Sequence, residues 1–108
     1  MTTTLLAIQK CFKQDKVYYS HHSKVEMEEE EFGEIKEHEV FETIISGKVI
    51  ETYPDDKPYP SVLIYGRTRR NRPIHIVCAY DQDDNLAIIV TVYEPNPMLW
   101  IDYQIRRK

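Results

Sequence analysis

Ser61-Val62-Leu63-Ile64-Tyr65-Gly66, then Arg67-Thr68-Arg69-Arg70-Asn71-Arg72, then Pro73-Ile74-His75-Ile76-Val77-Cys78-Ala79-Tyr80, is the stretch whose reading decides the fold. Two β-prone runs flank an arginine-rich hexapeptide, so the chain reads as strand, turn, strand. The connection is too short for a crossover helix, which makes the pair antiparallel. On either side, Lys48–Tyr53 and Leu86–Tyr93 repeat the period of two, joined through the proline-rich residues 54–60 and the Asp/Asn-rich residues 81–85. The expectation is an antiparallel meander of strands 48–53, 61–66, 73–80 and 86–93. Val17-Tyr18-Tyr19-Ser20 is short and β-prone. Pro95 and Pro97 stop the sheet, and a tail with Trp100 and Tyr103 ends in Arg106-Arg107-Lys108.

Upstream the period changes. Residues 4–14 place Leu5, Ile8, Cys11 and Phe12 at helical spacing, with threonines ahead as N-cap. A second helix is expected from His21 through Val25, Met27 and the 28–31 glutamate run to Gly33. Four consecutive carboxylates fan around a helix and cannot converge on one ion, so this run reads as a solvated face. Glu37–Ser46 carries Val40, Phe41, Ile44 and Ile45 as one apolar stripe closed by Gly47, the clearest helix of the chain.

The chain has 108 residues, 42% hydrophobic and 30% charged, which suits one soluble globular domain spanning residues 1–108. No apolar run reaches the roughly 20 residues of a membrane span, so no membrane partner is expected. Met1-Thr2-Thr3-Thr4-Leu5-Leu6 lacks the basic lead and apolar length of a signal peptide, making the cytoplasm the expected compartment. Cys11 and Cys78 are too far apart for a metal spacing and read as small buried hydrophobes. Neither a metal nor another cofactor is expected. The net charge of −4 argues against a protein that coats nucleic acid without selectivity. The charge is split, however: residues 1–59 hold seven lysines against thirteen carboxylates, and residues 60–108 hold seven cations against five. Every arginine lies in the second part.

Strand parity predicts the two sheet faces. With 81–85 as a five-residue loop and Gly66 opposite Pro73, one face presents Val62, Ile64, His75, Val77, Ile89, Thr91 and Tyr93. The other presents Leu63, Tyr65, Ile74, Ile76, Cys78, Leu86, Ile88, Val90 and Val92. The second set is greasier, so the helices are expected to cover it. His75, Thr91 and Tyr93 are left beside the basic turn. Metal-free RNA cleavage needs a base, an acid and cations on phosphate; histidine, tyrosine and arginine suit these tasks. His75 and Tyr93 are therefore catalytic candidates, and Arg67, Arg69, Arg70 and Arg72 candidates for phosphate. His22, near a helix start, is a further acid–base candidate; His21 beside it diverges and makes no metal pair. The competing readings are a satisfied core histidine, a solubilising hairpin tip and a helix cap.

Several motifs together resemble the bacterial family named domain of unknown function 4258. They are Ser20-His21-His22 with Met27, Gly47-Lys48-Val49-Ile50-Glu51, Tyr53-Pro54-Asp55-Asp56-Lys57-Pro58-Tyr59-Pro60-Ser61, Gly66, Arg72-Pro73-Ile74-His75-Ile76-Val77, and Val90-Thr91-Val92-Tyr93-Glu94-Pro95 with Trp100 beyond. The resemblance covers about residues 17–105 and aligns His22 with the family's helix-leading histidine. Glu26 departs from it, standing where members commonly carry arginine. The family is similar in length and pattern to BrnT and RelE-type toxins, which cut or block RNA. The resemblance thus implies a toxin-like protein of a toxin–antitoxin pair, a metal-independent mRNA endoribonuclease or translation inhibitor. Its implied partners are RNA and a zinc-finger or helix-turn-helix antitoxin. The alternative is a non-catalytic protein-binding or regulatory module. The expected fold is α+β, an antiparallel sheet of four or five strands with N-terminal helices on one face; oligomeric state is left open.

Overall fold

The computed structural model describes residues 3–108. The leader reading of Met1 and Thr2, and a cap supplied by Thr2, fall outside those residues. Three helices, α1 (Thr3–Lys13), α2 (His21–Glu29) and α3 (Glu37–Ser46), and five main strands, β1 (Val17–Tyr19), β2 (Lys48–Tyr53), β3 (Ser61–Arg67), β4 (Pro73–Asp81) and β5 (Leu86–Tyr93), make an α+β fold. Two short strands, β6 (Trp100–Ile101) and β7 (Ile105–Arg106), form a separate C-terminal hairpin.

The sheet order is β1-β5-β4-β3-β2. Strands β2 to β5 are the expected antiparallel meander, but β1 runs parallel to β5, pairing Val17 with Ala87 and Tyr19 with Ile89. The sheet is therefore mixed, which corrects the purely antiparallel expectation. The cause is topological. Two helices and three strands separate β1 from β5 in the chain, and β1 lies beside that last strand of the meander running in the same direction.

Two turns set the register. Thr68 and Arg72 add a rung, with the Thr68 N–H donating to Arg72 O at 2.9 Å. Asn71 takes a left-handed φ of 67° to close the turn. Gly66 then faces Ile74, and His75 faces Tyr65, one residue away from the register with Gly66 opposite Pro73. At the other turn Asp81 pairs with Leu86, its Oδ1 accepting from the N–H groups of Asp83 and Asp84. A bulge in β5 leaves Val90 as the extra residue between Ile89 and Thr91. A second, in β2, does the same for Ile50.

These shifts redistribute the faces. Val62, Ile64, Ile74, Ile76, Cys78, Ala87, Ile89 and Val92 are buried together with Leu5, Ile8, Cys11 and Phe12 of α1 and Val40 and Ile44 of α3. Leu63 and Tyr65 move instead to the side of His75. Ile88 is half-buried and Val90 exposed, so neither joins the core predicted for them; Ile89 does. Ile76 and Cys78 are fully buried as expected.

Close approach of α3 to the sheet depends on two glycines. A Cβ on Gly66 would lie 2.5 Å from Thr43 O, and one on Gly47 2.6 Å from the same oxygen. α2 stops at Glu29, short of the expected Gly33, because the chain turns back to bury Ile35, whose N–H donates to Met27 O at 2.8 Å. Gly33 itself lies in the loop with φ +116°, a conformation glycine adopts without cost.

α2 also performs a task that a strand would normally do. β1 covers only Ala87 to Ile89 of β5, leaving the edge beyond unpaired. There Glu26 Oε1 accepts from Val92 N–H at 3.1 Å and Glu30 Oε1 from Glu94 N–H at 3.0 Å, while Ser20 Oγ donates to Val90 O at 3.2 Å. Glu26 also accepts from the Thr91 hydroxyl. Two carboxylates four residues apart, one on α2 and one on the residue that caps it, thus satisfy alternate backbone donors.

Candidate functional site

On the sheet face away from α1 and α3, β4 places His75 between Tyr65 of β3 and Tyr93 of β5. Ring centroids lie 5.9 and 5.2 Å away, both edge-on. The C-terminal hairpin closes the group from above: the Trp100 ring stands 4.5 Å from the imidazole at 86°. His75 is completely buried.

Its two nitrogens are both engaged, and the chemistry of their partners fixes the tautomer. Nε2 lies 2.5 Å from Tyr103 O, which can only accept, so Nε2 carries the proton. Nδ1 of the neutral ring is then an acceptor, and the Tyr93 hydroxyl donates to it at 3.0 Å. Burial holds the His75 pKa below its ordinary value, against the Tyr103 carbonyl, which favours the protonated ring. Burial likewise pushes the Tyr93 hydroxyl up to about 12. The pair is a neutral donor–acceptor couple.

Beside it is a group that the sequence reading missed. Arg106 of β7 donates to Glu51 of β2 through Nε at 2.9 Å and Nη2 at 3.1 Å. The Tyr53 hydroxyl donates to the same carboxylate at 2.5 Å. The Arg106 guanidinium lies 4.7 Å from the Trp100 ring centroid. Hydrogen bonding from Arg106 holds the Glu51 carboxyl below its usual range. The available signal was parity: Glu51 and Tyr53 are two apart on one strand, as are His75 and Val77, and all point to one face.

The arginines are not equivalent. Arg67 donates through Nε to the Tyr65 hydroxyl at 3.1 Å and through Nη1 to Asn71 O at 2.9 Å, and it stands over the Tyr103 ring. Arg69 and Arg70 are exposed at the tip, Arg69 with a loose 3.9 Å pairing to Glu42. Arg72 is drawn inward. It ion-pairs with Glu94 at 2.6 Å and Glu39 at 3.2 Å, and donates to the carbonyls of Gly33 and Glu34. That binds the loop after α2 to α3 and to the end of β5.

His22 lies on the first turn of α2, largely exposed, with Nε2 3.2 Å from Glu26 Oε2. The structure thus joins His75, Tyr93 and Arg67 on one face, sets Arg69 and Arg70 at its end, and leaves His22 at the β5 edge. Glu26 takes the Val92 N–H, which only an acceptor can do. Among the described residues, no group of three or more His, Cys, Asp or Glu converges as a metal site. No helix among the described residues is long and apolar enough to cross a membrane.

Comparison with known proteins returns no matching curated protein and no matching solved structure. A family profile does match, over residues 19–94. That span runs from the end of β1 to just past β5 and contains His75, Tyr93 and the arginine turn. α1 and the hairpin bearing Trp100, Tyr103 and Arg106 lie outside it. With most of its length covered, the chain belongs to the family described as Domain of unknown function (DUF4258).

Proposed function

We propose that this protein acts on RNA in the manner of a toxin of a toxin–antitoxin pair, as a metal-independent mRNA endoribonuclease or a translation inhibitor. In this reading Arg67, Arg69 and Arg70 take RNA phosphates at the β3–β4 tip, where guanidinium groups match phosphate oxygens. His75 and Tyr93 transfer or position protons, and His22 is the second acid–base candidate. The supporting observation is one connected row on a single sheet face: Arg67 bonds Tyr65, Tyr65 borders His75, and His75 bonds Tyr93. Trp100 and Tyr103 cover the imidazole, so RNA reaches it only when the hairpin lifts. The silencing partner in this scheme is a zinc-finger or helix-turn-helix antitoxin, and the compartment is the cytoplasm.

A second reading, a non-catalytic binding or regulatory module, is favoured by the complete burial of His75 and the engagement of both its nitrogens. One experiment separates the two: RNA cleavage and thermal unfolding measured on the same His75→Ala protein. The RNA reading expects cleavage to fall about a hundredfold in a folded protein, a smaller loss for Tyr93→Phe, and no effect of chelator. Full cleavage by a well-folded His75→Ala protein removes His75 from the chemistry. No RNA cleavage and no inhibition of translation by the unaltered protein supports the module.

A further inference from the structure

The C-terminal hairpin turns an apolar side to water. Trp100 pairs across the ladder with Arg106, and Ile101 with Ile105. Side chains alternate along a strand, so these pairs face opposite ways. Trp100 faces the sheet and is 4% exposed. The outward side carries Leu99, 62% exposed, Ile101, 41%, and Ile105, 63%, with Met98 beside them at 79%. Four large apolar side chains within eight residues stand in water. Single exposed hydrophobes are ordinary, whereas a cluster on one ordered element marks an interaction surface.

We propose that this outward face is a docking surface for an acidic amphipathic segment of another protein. Charge complementarity selects the occupant. Residues 95–108 carry Arg106, Arg107 and Lys108 against the single acid Asp102. Arg106 is neutralised by Glu51, but Arg67 reaches the same hairpin over the Tyr103 ring and, among the described residues, is tied to no carboxylate. The rim is therefore positive. A second copy docked through its own hairpin would bring two Arg107-Lys108 ends together, which opposes self-association. An anionic lipid surface would meet the excess of carboxylates in residues 1–59 as the protein approached. A segment with apolar residues on one side and carboxylates on the other satisfies both the patch and its rim. The surface lies on the back of the hairpin that covers His75, but the inference does not depend on the RNA reading.

The test uses the full chain and a labelled synthetic helix with a leucine face and a glutamate face. Its controls are the same helix with lysines replacing the glutamates, and polyglutamate without leucines. Binding is read by fluorescence anisotropy, and NMR amide shifts locate the site. The acidic amphipath is expected to saturate below about millimolar concentration, bind at least tenfold tighter than either control, and shift residues 98–108. Leu99→Glu with Ile105→Glu should weaken it at least tenfold, and Arg107→Glu with Lys108→Glu should weaken it while flattening its salt dependence. No saturable binding, equal binding of the lysine helix, or shifts confined to other residues overturns the inference. So does a dimer in sedimentation that Ile105→Glu abolishes, or co-sedimentation with anionic vesicles that the same change abolishes. The amide-shift map decides the question even where a variant fails to fold.

Discussion

The two faces of the sheet solve the same burial problem by different means. Under α1 and α3, Ile64, Ile76, Cys78, Ile89 and Val92 interlock as apolar cross-strand neighbours. On the other face His75 is buried just as completely, but by aromatic rings and two hydrogen bonds supplied from β5 and the hairpin. Aliphatic burial is non-directional and tolerates small shifts; the His75 group works only if each partner stands at one distance and angle. One face is held by packing, and the other by packing together with directional bonds.

That contrast can be broken in graded steps. Ile76→Ala strikes the core face and should cost about 4 kcal/mol, the scale for a fully buried aliphatic that leaves a cavity; chemical denaturation measures it, and a loss near zero would mean the face is not packed as described. Trp100→Ala should cost less, about 2–3 kcal/mol, because the hairpin can relax over the gap. It should also raise the His75 titration point toward its ordinary value, visible in NMR pH titration. If it does not move, Trp100 is not what keeps water from the ring.

Glu26→Ala removes the acceptor for Val92 N–H and should cost about 1–2 kcal/mol, while Glu26→Gln, which keeps an oxygen, should cost clearly less. Equal losses would say that charge rather than acceptance matters there. The pH dependence comes next. The folded-state pKa of His75 lies below its ordinary value of 6.5, so below that pH the unfolded chain binds a proton that the native state refuses. The stability this contributes is present above pH 6.5 and is lost as pH falls through the folded-state pKa. His75→Gln should flatten that slope, and a slope unchanged by the substitution would place its origin elsewhere. Smallest is Glu51→Gln. Its pairing with Arg106 is partly exposed, so the loss should stay under about 1 kcal/mol and vanish in high salt.

Much of this was legible in the chain. Lys48–Tyr53 and Leu86–Tyr93 were readable as strands and Glu37–Ser46 as a helix, because period and terminators are local signals. Faces depend on register, which a single residue reverses. The rung between Thr68 and Arg72 moved Leu63 and Tyr65 to the side of His75, displacing Val62 and Ile64. In β5 the shorter loop and the bulge at Val90 together amount to two residues, so Thr91 and Tyr93 kept company with His75 while Ile89 crossed to the core. Asn71 in a left-handed conformation was the available hint for the first turn. Nothing local announced that Trp100 and Tyr103 would fold back over His75, since that contact spans more than twenty residues and depends on the hairpin as a whole.

The carboxylates of Glu26 and Glu30 along β5 have one more effect. A bare strand edge is a template on which other chains can add strands and aggregate. Here the donors of Val92 and Glu94 are already occupied by side chains rather than by backbone. An incoming strand would have to expel Glu26 and Glu30 and carry its own carbonyls into a negatively charged strip. On the same side, the three residues of β1 offer little length to copy. Growth of the sheet is thereby directed to one side of the molecule, the free flank of β2, and even there the bulge at Ile50 spoils the regular spacing that a stacking neighbour would need.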